Sequence, residues 1–164
     1  MSEYIEAYKK LYDVCKKNGY GDPFSYARSR EIYIAETLGH KIADTYSGAD
    51  AYDDNGEYEY KSTINKKING TYNGISVQPT LKEQIKYIKE EKIGKYNKHY
   101  FARFKGPFIE EMYELDVKYV LDILLPKIEK EWTKKSSKNC KSKDPRIGVT
   151  ITHKEIYKYG RKII

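Results

Sequence analysis

The sequence is poor in the residues that build zinc sites and disulfide frameworks. Its 164 residues include two cysteines and three histidines. Cys15 and Cys140 lie far apart without a Cys-x-x-Cys pair, and the histidines show no metal-ligand spacing. A zinc site is therefore not expected, and a reducing, cytoplasmic setting fits best.

Long apolar runs are also missing. The most apolar stretch, residues 119–125, is interrupted by Asp122 and is much shorter than the ~20 residues that span a bilayer. The chain starts Met1-Ser2-Glu3-Tyr4, without a basic segment followed by an apolar one, so no secretory signal is predicted. We expect no membrane partner.

Positive charge, in contrast, is in excess. The chain carries 31 Lys and Arg against 24 Asp and Glu, a formal net charge of +7. Such a balance favours a polyanionic partner such as nucleic acid, although it also keeps a protein soluble. The length fits one domain with a real core and is short for two, so we expect a single domain over residues 1–164.

One short stretch collects carboxylates and a lysine around a turn signal. Asn55-Gly56 is the dipeptide that best suits a type I′ turn, so two antiparallel strands are predicted to meet there. With this two-residue loop, Asp50 pairs with Lys61, since paired residue numbers sum to a constant. Asp50, Glu59 and Lys61 then share one face of the hairpin.

The loop length decides which aspartate belongs to that face. A four-residue loop preserves the parity, whereas a three-residue loop replaces Asp50 with Asp53. Asp50 and Glu59 would lie roughly 7–8 Å apart at Cα, close enough for their side chains to share one cation. Tyr58 and Tyr60 point to the opposite face, where they can pack into a core. A surface hairpin with solvated charges is the alternative.

Two other mechanisms fail on the spacing. An EF-hand loop with Gly56 at its sixth position would begin at Ala51 and end at Ser62, so both ends lack a carboxylate. A phosphate-binding P-loop is excluded as well, because no Gly-x-x-x-x-Gly-Lys-Ser/Thr run occurs.

Asp50, eight intervening residues and then Glu59-Tyr60-Lys61 resemble the Asp…Glu-X-Lys signature of the PD-(D/E)XK nuclease superfamily. The whole stretch is similar to that of a type II restriction endonuclease. Ala49 stands where the name-giving proline of the family would be, and that proline is not a ligand. The resemblance covers about half of the chain.

The resemblance implies an endodeoxyribonuclease that uses Mg²⁺, with Mn²⁺ as a substitute. Asp50, Glu59 and the backbone carbonyl of Tyr60 would hold the metal ion, and Lys61 would position the attacking water. Glu36, on the helix before the hairpin, would complete the metal shell; a surface or salt-bridge role is its alternative. The implied substrate is double-stranded DNA, and the implied product carries a 5′-phosphate.

The predicted elements follow the order αβββαβ of that family's core over residues 23–104. This order defines the expected fold class, an α/β domain with a mixed central sheet flanked by helices, extended by an N-terminal helix and by C-terminal helix and strand additions. The predicted core elements are a helix from Pro23 to Leu38, strands over residues 44–52, 57–64 and 71–77, a helix opened by a Thr80–Glu83 capping box, and a strand over residues 98–104.

Outside the core, an N-terminal helix capped by Ser2 should end at Asn18-Gly19. A strand over residues 108–115 leads to a helix capped by Asp116, in which Pro126 causes a kink or a restart. Residues 127–143 contain seven lysines and are predicted to form a flexible basic loop. A strand over residues 146–152 and a helix over 154–159 close the chain.

The DNA-contacting residues are predicted only as candidates, because many polar side chains could reach a groove or a phosphate. They are Lys66, Lys67, Asn73, Arg103, Lys105 and Arg146. Two alternatives to a restriction enzyme stay open, a nonspecific or repair nuclease of the same fold and a noncatalytic basic DNA-binding module.

Cutting both strands of a duplex with one active site per chain predicts a homodimer. The candidate interfaces are the N-terminal helix, residues 2–17, and the leucine face of residues 117–125.

Overall fold

A computed structural model describes residues 2–137 and 144–164. The chain is of the α/β class and contains a mixed sheet of parallel and antiparallel strands, as predicted, together with five α-helices within the described residues. It divides into two compact units, Met1–Tyr60 and Lys61–Ile164. None of the described helices is long and apolar enough to cross a membrane.

The first unit has two helices followed by three antiparallel strands in the order β1-β2-β3. Strand β3 continues into the second unit, so its first five residues belong here. The elements are α1 (Glu3–Lys17), α2 (Arg28–Leu38), β1 (Lys41–Ile42), β2 (Ala51–Asp53) and the start of β3 (Gly56–Thr63).

Helix α1 begins and ends where its sequence predicts. The Ser2 side chain accepts a hydrogen bond from the backbone N–H of Ile5 at 3.4 Å, which satisfies one of the donors left open at a helix start. Asn18 caps the other end. Cys15 is the only buried residue of the helix.

Helix α2 starts at Arg28 and not at Pro23, so that prediction is wrong by one and a half turns. The Asp22 carboxylate accepts the backbone N–H of Phe24 and the hydroxyl of Ser25, which forms a local turn and not a helix cap. The predicted end is confirmed, because Gly39 takes the left-handed conformation with φ 72°.

Arg28 ties the two loops around α2 together. Its side chain is 1% exposed and donates to the carbonyl oxygens of Tyr20, at 2.6 Å, and of Ala43. Glu31, one turn along the helix, lies 3.7 Å from the guanidinium. A buried cation needs such partners, since leaving it unpaired costs several kcal/mol.

The hairpin of β2 and β3 forms with a register different from the predicted one. Asp53 pairs with Gly56 and Tyr52 with Glu57, so the loop consists of residues 54 and 55. Within the described residues, Tyr26 alone among non-glycine residues has a positive φ, so Asn55 does not take the type I′ conformation. The prediction that strand 44–52 forms as one piece is also wrong, because only Lys41–Ile42 and Ala51–Asp53 are paired there.

The second unit contains two sheets. The end of β3 is followed in the main sheet by β5, β6 and β8, whereas β4 and β7 form a separate antiparallel pair. The elements are β4 (Gly70–Ile75), α3 (Leu81–Tyr87) with a π-helical turn (Ile88–Lys92), β5 (Lys98–Lys105), β6 (Phe108–Asp116), α4 (Val117–Ser136), β7 (Ile147–Ile151), α5 (His153–Tyr159) and β8 (Arg161–Lys162).

The third predicted strand exists, but its place differs from the αβββ order, since β4 pairs with β7 and not with a strand of the main sheet. Gly70 at its start allows a close approach that a side chain would block. A Cβ at this position would lie 2.3 Å from the ring of Phe101. The buried residues Tyr72 and Ile75 then join the core of this unit.

Helix α4 passes through Pro126, so the predicted restart there is wrong, while the alternative effect, a kink, stays a prediction. Its apolar stripe explains the continuity, because Val120, Leu124 and Ile128 are all buried and lie on the same side of the helix before and after the proline. Residues 127–136 are consequently helical and not a flexible loop; the rest of the predicted loop, residues 138–143, lies outside the described part of the chain.

Local signals predict the remaining helix starts correctly. Thr80 and Glu83 form the expected reciprocal capping box, with the Glu83 backbone N–H donating to the Thr80 hydroxyl at 3.2 Å. Asp116 accepts the backbone N–H of Lys118 at 2.9 Å and starts α4. Each cap acts within three residues of sequence, which is why it can be predicted.

Candidate active site

Asp50 is fixed against strand β3 by two hydrogen bonds. Its backbone N–H donates to the carbonyl oxygen of Tyr58 at 3.0 Å, and its carboxylate Oδ2 accepts the backbone N–H of Tyr60 at 2.6 Å. The two bonds bracket Glu59, the residue between them. The structure therefore brings the Asp50 carboxylate beside the backbone from which the Glu59 side chain leaves the strand.

Side chains alternate along β3, so its acidic residues and its tyrosines point to opposite faces of the strand. Tyr58 and Tyr60 are both 4% exposed, whereas Glu59 is partly exposed. This confirms the predicted separation into a buried tyrosine face and a more open charged face.

The buried tyrosine face has a polar partner that the sequence did not predict. The ring of His40 stacks on Tyr58 with centroids 4.2 Å apart, and its Nδ1 lies at hydrogen-bond distance, 2.7 Å, from the Tyr60 hydroxyl. Buried tyrosine hydroxyls usually find such a partner. This contact holds β3 at the positions that flank Glu59.

Asp53, the alternative to Asp50, has a different role. Its Oδ1 accepts the Tyr58 hydroxyl at 2.6 Å and the backbone N–H of Asn55 at 2.7 Å. The Tyr58 hydroxyl keeps the pKa of the Asp53 carboxyl below its ordinary value. Asp53 thus closes the turn on the tyrosine face, which leaves Asp50 as the aspartate beside Glu59.

Glu36, the third predicted metal ligand, lines a cleft on helix α2. It is exposed and accepts a hydrogen bond from the Tyr20 hydroxyl, which raises the pKa of Tyr20. Both residues line a cleft of about 300 Å³ together with His40, Asp44 and Tyr52, but Asp50 and Glu59 are not part of its lining. Over residues 2–137 and 144–164, no three His, Cys, Asp or Glu side chains form a metal-binding group. The role of Glu36 as the third ligand stays a prediction.

Lys61 and its surroundings are described within the second unit. Its ammonium nitrogen lies 4.7 Å from the centre of the Tyr72 ring, within the range of a cation–π contact. The Tyr72 hydroxyl is 2.8 Å from Nδ1 of His99, which is fully buried. Lys61 thus sits above a tyrosine that a buried histidine holds in place.

His99 is neutral in this setting. Burial, and after it the positive charge of Lys61, lower the pKa of the imidazole from 6.5 to about 3. Sequence reasoning missed both Tyr72 and His99, because they come from β4 and β5 and meet Lys61 only through tertiary pairing. The one available signal was the position of His99 beside Phe101 and Arg103 on one face of the predicted strand over residues 98–104.

The predicted DNA-contacting residues fall into two groups. Lys66, Lys67, Asn73 and Lys105 are exposed. Arg103 and Arg146, in contrast, are engaged in ion pairs.

The ion pairs of the two arginines differ in their partners. Arg103 pairs with Glu110 and with Glu111, the latter at 2.6 Å, and Arg146 pairs with Asp144 at 3.0 Å. These carboxylates raise the pKa of both arginines and offset their charge, so the exposed lysines are the stronger candidates for phosphate contacts.

No protein-family model matches the chain, and no curated protein is significantly similar to it. A functional assignment therefore depends on the geometry around Asp50 and Glu59 and on the residues that the signature shares with the nuclease superfamily.

Proposed function

We propose that the protein is a metal-dependent endodeoxyribonuclease that hydrolyses phosphodiester bonds in double-stranded DNA, as a restriction endonuclease does. The observation that carries the proposal is the hydrogen bond from the Tyr60 backbone N–H to the Asp50 carboxylate, because it holds this carboxylate against β3 next to the residue that carries the second acid of the signature, Glu59. A solvated surface hairpin requires no such bond.

The element order supports the same fold. Apart from the two-residue strand β1, the elements α2, β2, β3, β4, α3 and β5 follow one another in the order αβββαβ, although β4 pairs with β7 and not with the main sheet. Asp50 directly precedes β2, and Glu59 and Lys61 lie within β3, so the signature falls on the first two of these strands, as the resemblance implies.

The donor set fits a hard divalent cation. Asp50, Glu59 and the Tyr60 carbonyl offer only oxygen atoms, which Mg²⁺ prefers and Mn²⁺ accepts. An ionised carboxylate has several lone pairs, so Asp50 can accept the Tyr60 N–H and still bind a cation. Bound there, Mg²⁺ supplies positive charge beside the scissile phosphate and acidifies a water molecule.

The chain's own residues then position the reactants. The Asp50–Tyr60 bond and the His40 contacts hold β3 on both sides of Glu59, so the backbone from which its carboxylate extends is fixed. Lys61 follows Glu59 by two residues in β3, and we propose that its ammonium group orients the attacking water and pairs with the charge that develops on the phosphate.

Cleavage of several long duplex DNAs in the presence of Mg²⁺ tests the proposal. Glu59→Gln and Lys61→Met should each reduce the rate at least 10²-fold, since each removes a group that stabilises the transition state. Glu57→Gln is the matched control, because Glu57 lies in the same strand and pairs with Tyr52 near the turn. It should retain activity within about threefold, as surface substitutions usually have small effects.

The products separate the alternatives. Discrete fragments support a restriction enzyme, whereas a smear supports a nonspecific or repair nuclease. Chelator-resistant DNA binding by folded protein without any cleavage would favour the noncatalytic DNA-binding module instead.

We also propose that the active form is a homodimer, since two sites related by a twofold axis can cut both strands of a duplex. Light scattering at micromolar concentration should give twice the chain mass of 19.3 kDa. A monomer with and without DNA would instead favour sequential nicking.

A further inference from the structure

Helix α1 carries an apolar stripe that the described part of the chain leaves largely exposed. Every residue from position 3 to position 14 is exposed, although the stripe repeats at helical spacing. Its members, with their exposed fractions, are Tyr4 (74%), Ile5 (43%), Tyr8 (47%), Leu11 (43%), Tyr12 (43%) and Val14 (45%).

Such a helix needs a partner for physical reasons. Helix α1 has 15 residues, close to the length of about 12–15 residues below which isolated helices are marginal in water, and most helical stability in proteins comes from packing of an apolar face. In α1, Cys15 is buried, and the ring of Tyr8 stacks on Phe24 with centroids 3.9 Å apart. The other stripe residues keep 43% or more of their surface exposed.

The amount of exposed surface approaches what a dimer requires. With about 200 Å² for the whole surface of a large side chain, the six stripe residues leave roughly 600 Å² accessible, against about 800 Å² per partner in a standard interface. An apolar groove of about 420 Å³ extends this surface from Leu11 to Ile32 and Tyr33 of α2.

The charges of α1 select the partner. Its first turn carries Glu3 and Glu6, and its last turn carries Lys16 and Lys17. In an antiparallel pair of identical helices, the acidic turn of each copy lies beside the basic turn of the other, and the helix dipoles are opposed. The stripe itself is apolar and carries no cation, so an apolar partner fits it better than a DNA backbone, which is bound mainly through phosphate contacts.

We infer that α1 is a self-association surface, on which a second copy of this chain packs its own α1 in the antiparallel direction. The other candidate interface is unsuitable, since Val120 and Leu124 of α4 are buried within the second unit. This surface would be the interface of the homodimer proposed above. The inference rests on the proposed function only in that the same dimer is assumed.

The oligomeric state can be measured without DNA, so failure of the dimer and failure of cleavage are separate results. Sedimentation equilibrium of the full chain should show a dimer at protein concentrations from about 1 to about 100 μM, a range that covers micromolar dissociation constants. Leu11→Glu should convert it to a monomer. Phe108→Glu, which changes an apolar residue of the second unit that is 67% exposed, is the control and should remain dimeric.

A charge exchange tests the antiparallel direction. The variant Glu3→Lys/Glu6→Lys has two basic ends, and the variant Lys16→Glu/Lys17→Glu has two acidic ends. Each alone should dimerise at least tenfold more weakly than the wild type, because like charges face each other at both ends. An equimolar mixture of the two should recover a heterodimer, since opposite charges then face each other.

The inference is overturned by a wild-type protein that stays monomeric over the whole range, by a Leu11→Glu variant that dimerises like the wild type, or by a mixture that does not recover association. Circular dichroism shows whether each variant keeps its helices. If Leu11→Glu loses helix, the charge exchange decides by itself, because its substitutions lie at exposed positions.

Discussion

At the scale of single residues, His99 links the stability of the second unit to pH. Its pKa in the folded protein, about 3, lies far below the ordinary value of 6.5. Below pH 6.5 the unfolded chain therefore binds a proton that the folded chain does not. The stability contributed by this residue is complete above pH 6.5 and is lost as the pH falls toward 3.

We expect the free energy of unfolding to fall by about 1.4 kcal/mol for each pH unit below 6.5 on account of His99. Urea unfolding at pH 8 and pH 5.5 measures this loss. His99→Gln keeps an acceptor near Tyr72 but cannot titrate. Between pH 8 and pH 5.5 its free energy of unfolding should therefore fall by about 1.4 kcal/mol less than that of the wild type. His153→Gln leaves the buried histidine in place and should behave like the wild type; equal losses in all three proteins would contradict the prediction.

Sequence reasoning was effective for residues whose role is set by strand alternation. The Glu59 side chain points to the face of β3 opposite that of Tyr58 and Tyr60, because side chains alternate between the two faces of a strand. It was ineffective for Tyr72 and His99, since their contact joins two strands that are 27 residues apart in sequence. For Asp50, whether the carboxylate belonged to the site depended on the register, which the sequence left open.

At the scale of elements, the β2–β3 turn shows why the register was mispredicted. Asn55-Gly56 suits a type I′ turn, yet the Asp53 carboxylate accepts both the Asn55 N–H and the Tyr58 hydroxyl. These bonds fix residues 54 and 55 as the loop. A side chain that closes a turn can thus outweigh a favourable dipeptide. The shift is two residues, so the faces of the strands stay as predicted.

The turn provides a test that separates Asp53 from Asp50. Asp53→Ala removes the acceptor of the Asn55 and Tyr58 bonds and should lower the unfolding temperature, while cleavage by the folded fraction persists. Asp50→Asn should abolish cleavage. Asp54→Ala changes an exposed neighbouring carboxylate and should do neither.

Thermal unfolding and cleavage assays on the three variants give both readouts. Loss of cleavage in stably folded Asp53→Ala, with cleavage retained in Asp50→Asn, would exchange the roles of the two aspartates.

Elements whose limits depend on local caps were predicted well, and those that depend on distant pairing were not. The Thr80–Glu83 capping box and the Asp116 cap act within a few residues. The pairing of β4 with β7 joins segments about 75 residues apart, and the continuation of α4 through Pro126 depends on the buried stripe on both sides of it. Neither is encoded in a short window of sequence.

At the scale of the whole molecule, a net charge of +7 predicts DNA affinity that depends on salt. Lysines that neutralise phosphates release counterions, so the affinity falls as salt rises. Lys66 and Lys67 are exposed in the segment between β3 and β4, and their side chains form no ion pair within the described residues. We therefore expect this segment, and not the charge as a whole, to contact the DNA backbone.

Fluorescence anisotropy with a labelled duplex, performed on Glu59→Gln to prevent cleavage, tests this expectation. Adding Lys66→Glu/Lys67→Glu should weaken binding at least tenfold and reduce the slope of log K against log salt by about 2, one for each lost phosphate contact. The control Lys82→Glu/Lys89→Glu makes the same change in net charge at exposed positions of α3 and the turn after it. It should leave the slope unchanged, because no phosphate contact is lost.

Equal slopes in the two double variants would show that DNA binding depends on the net charge of the protein and not on Lys66 and Lys67. Undetectable binding at low salt would contradict the prediction that the partner is a nucleic acid.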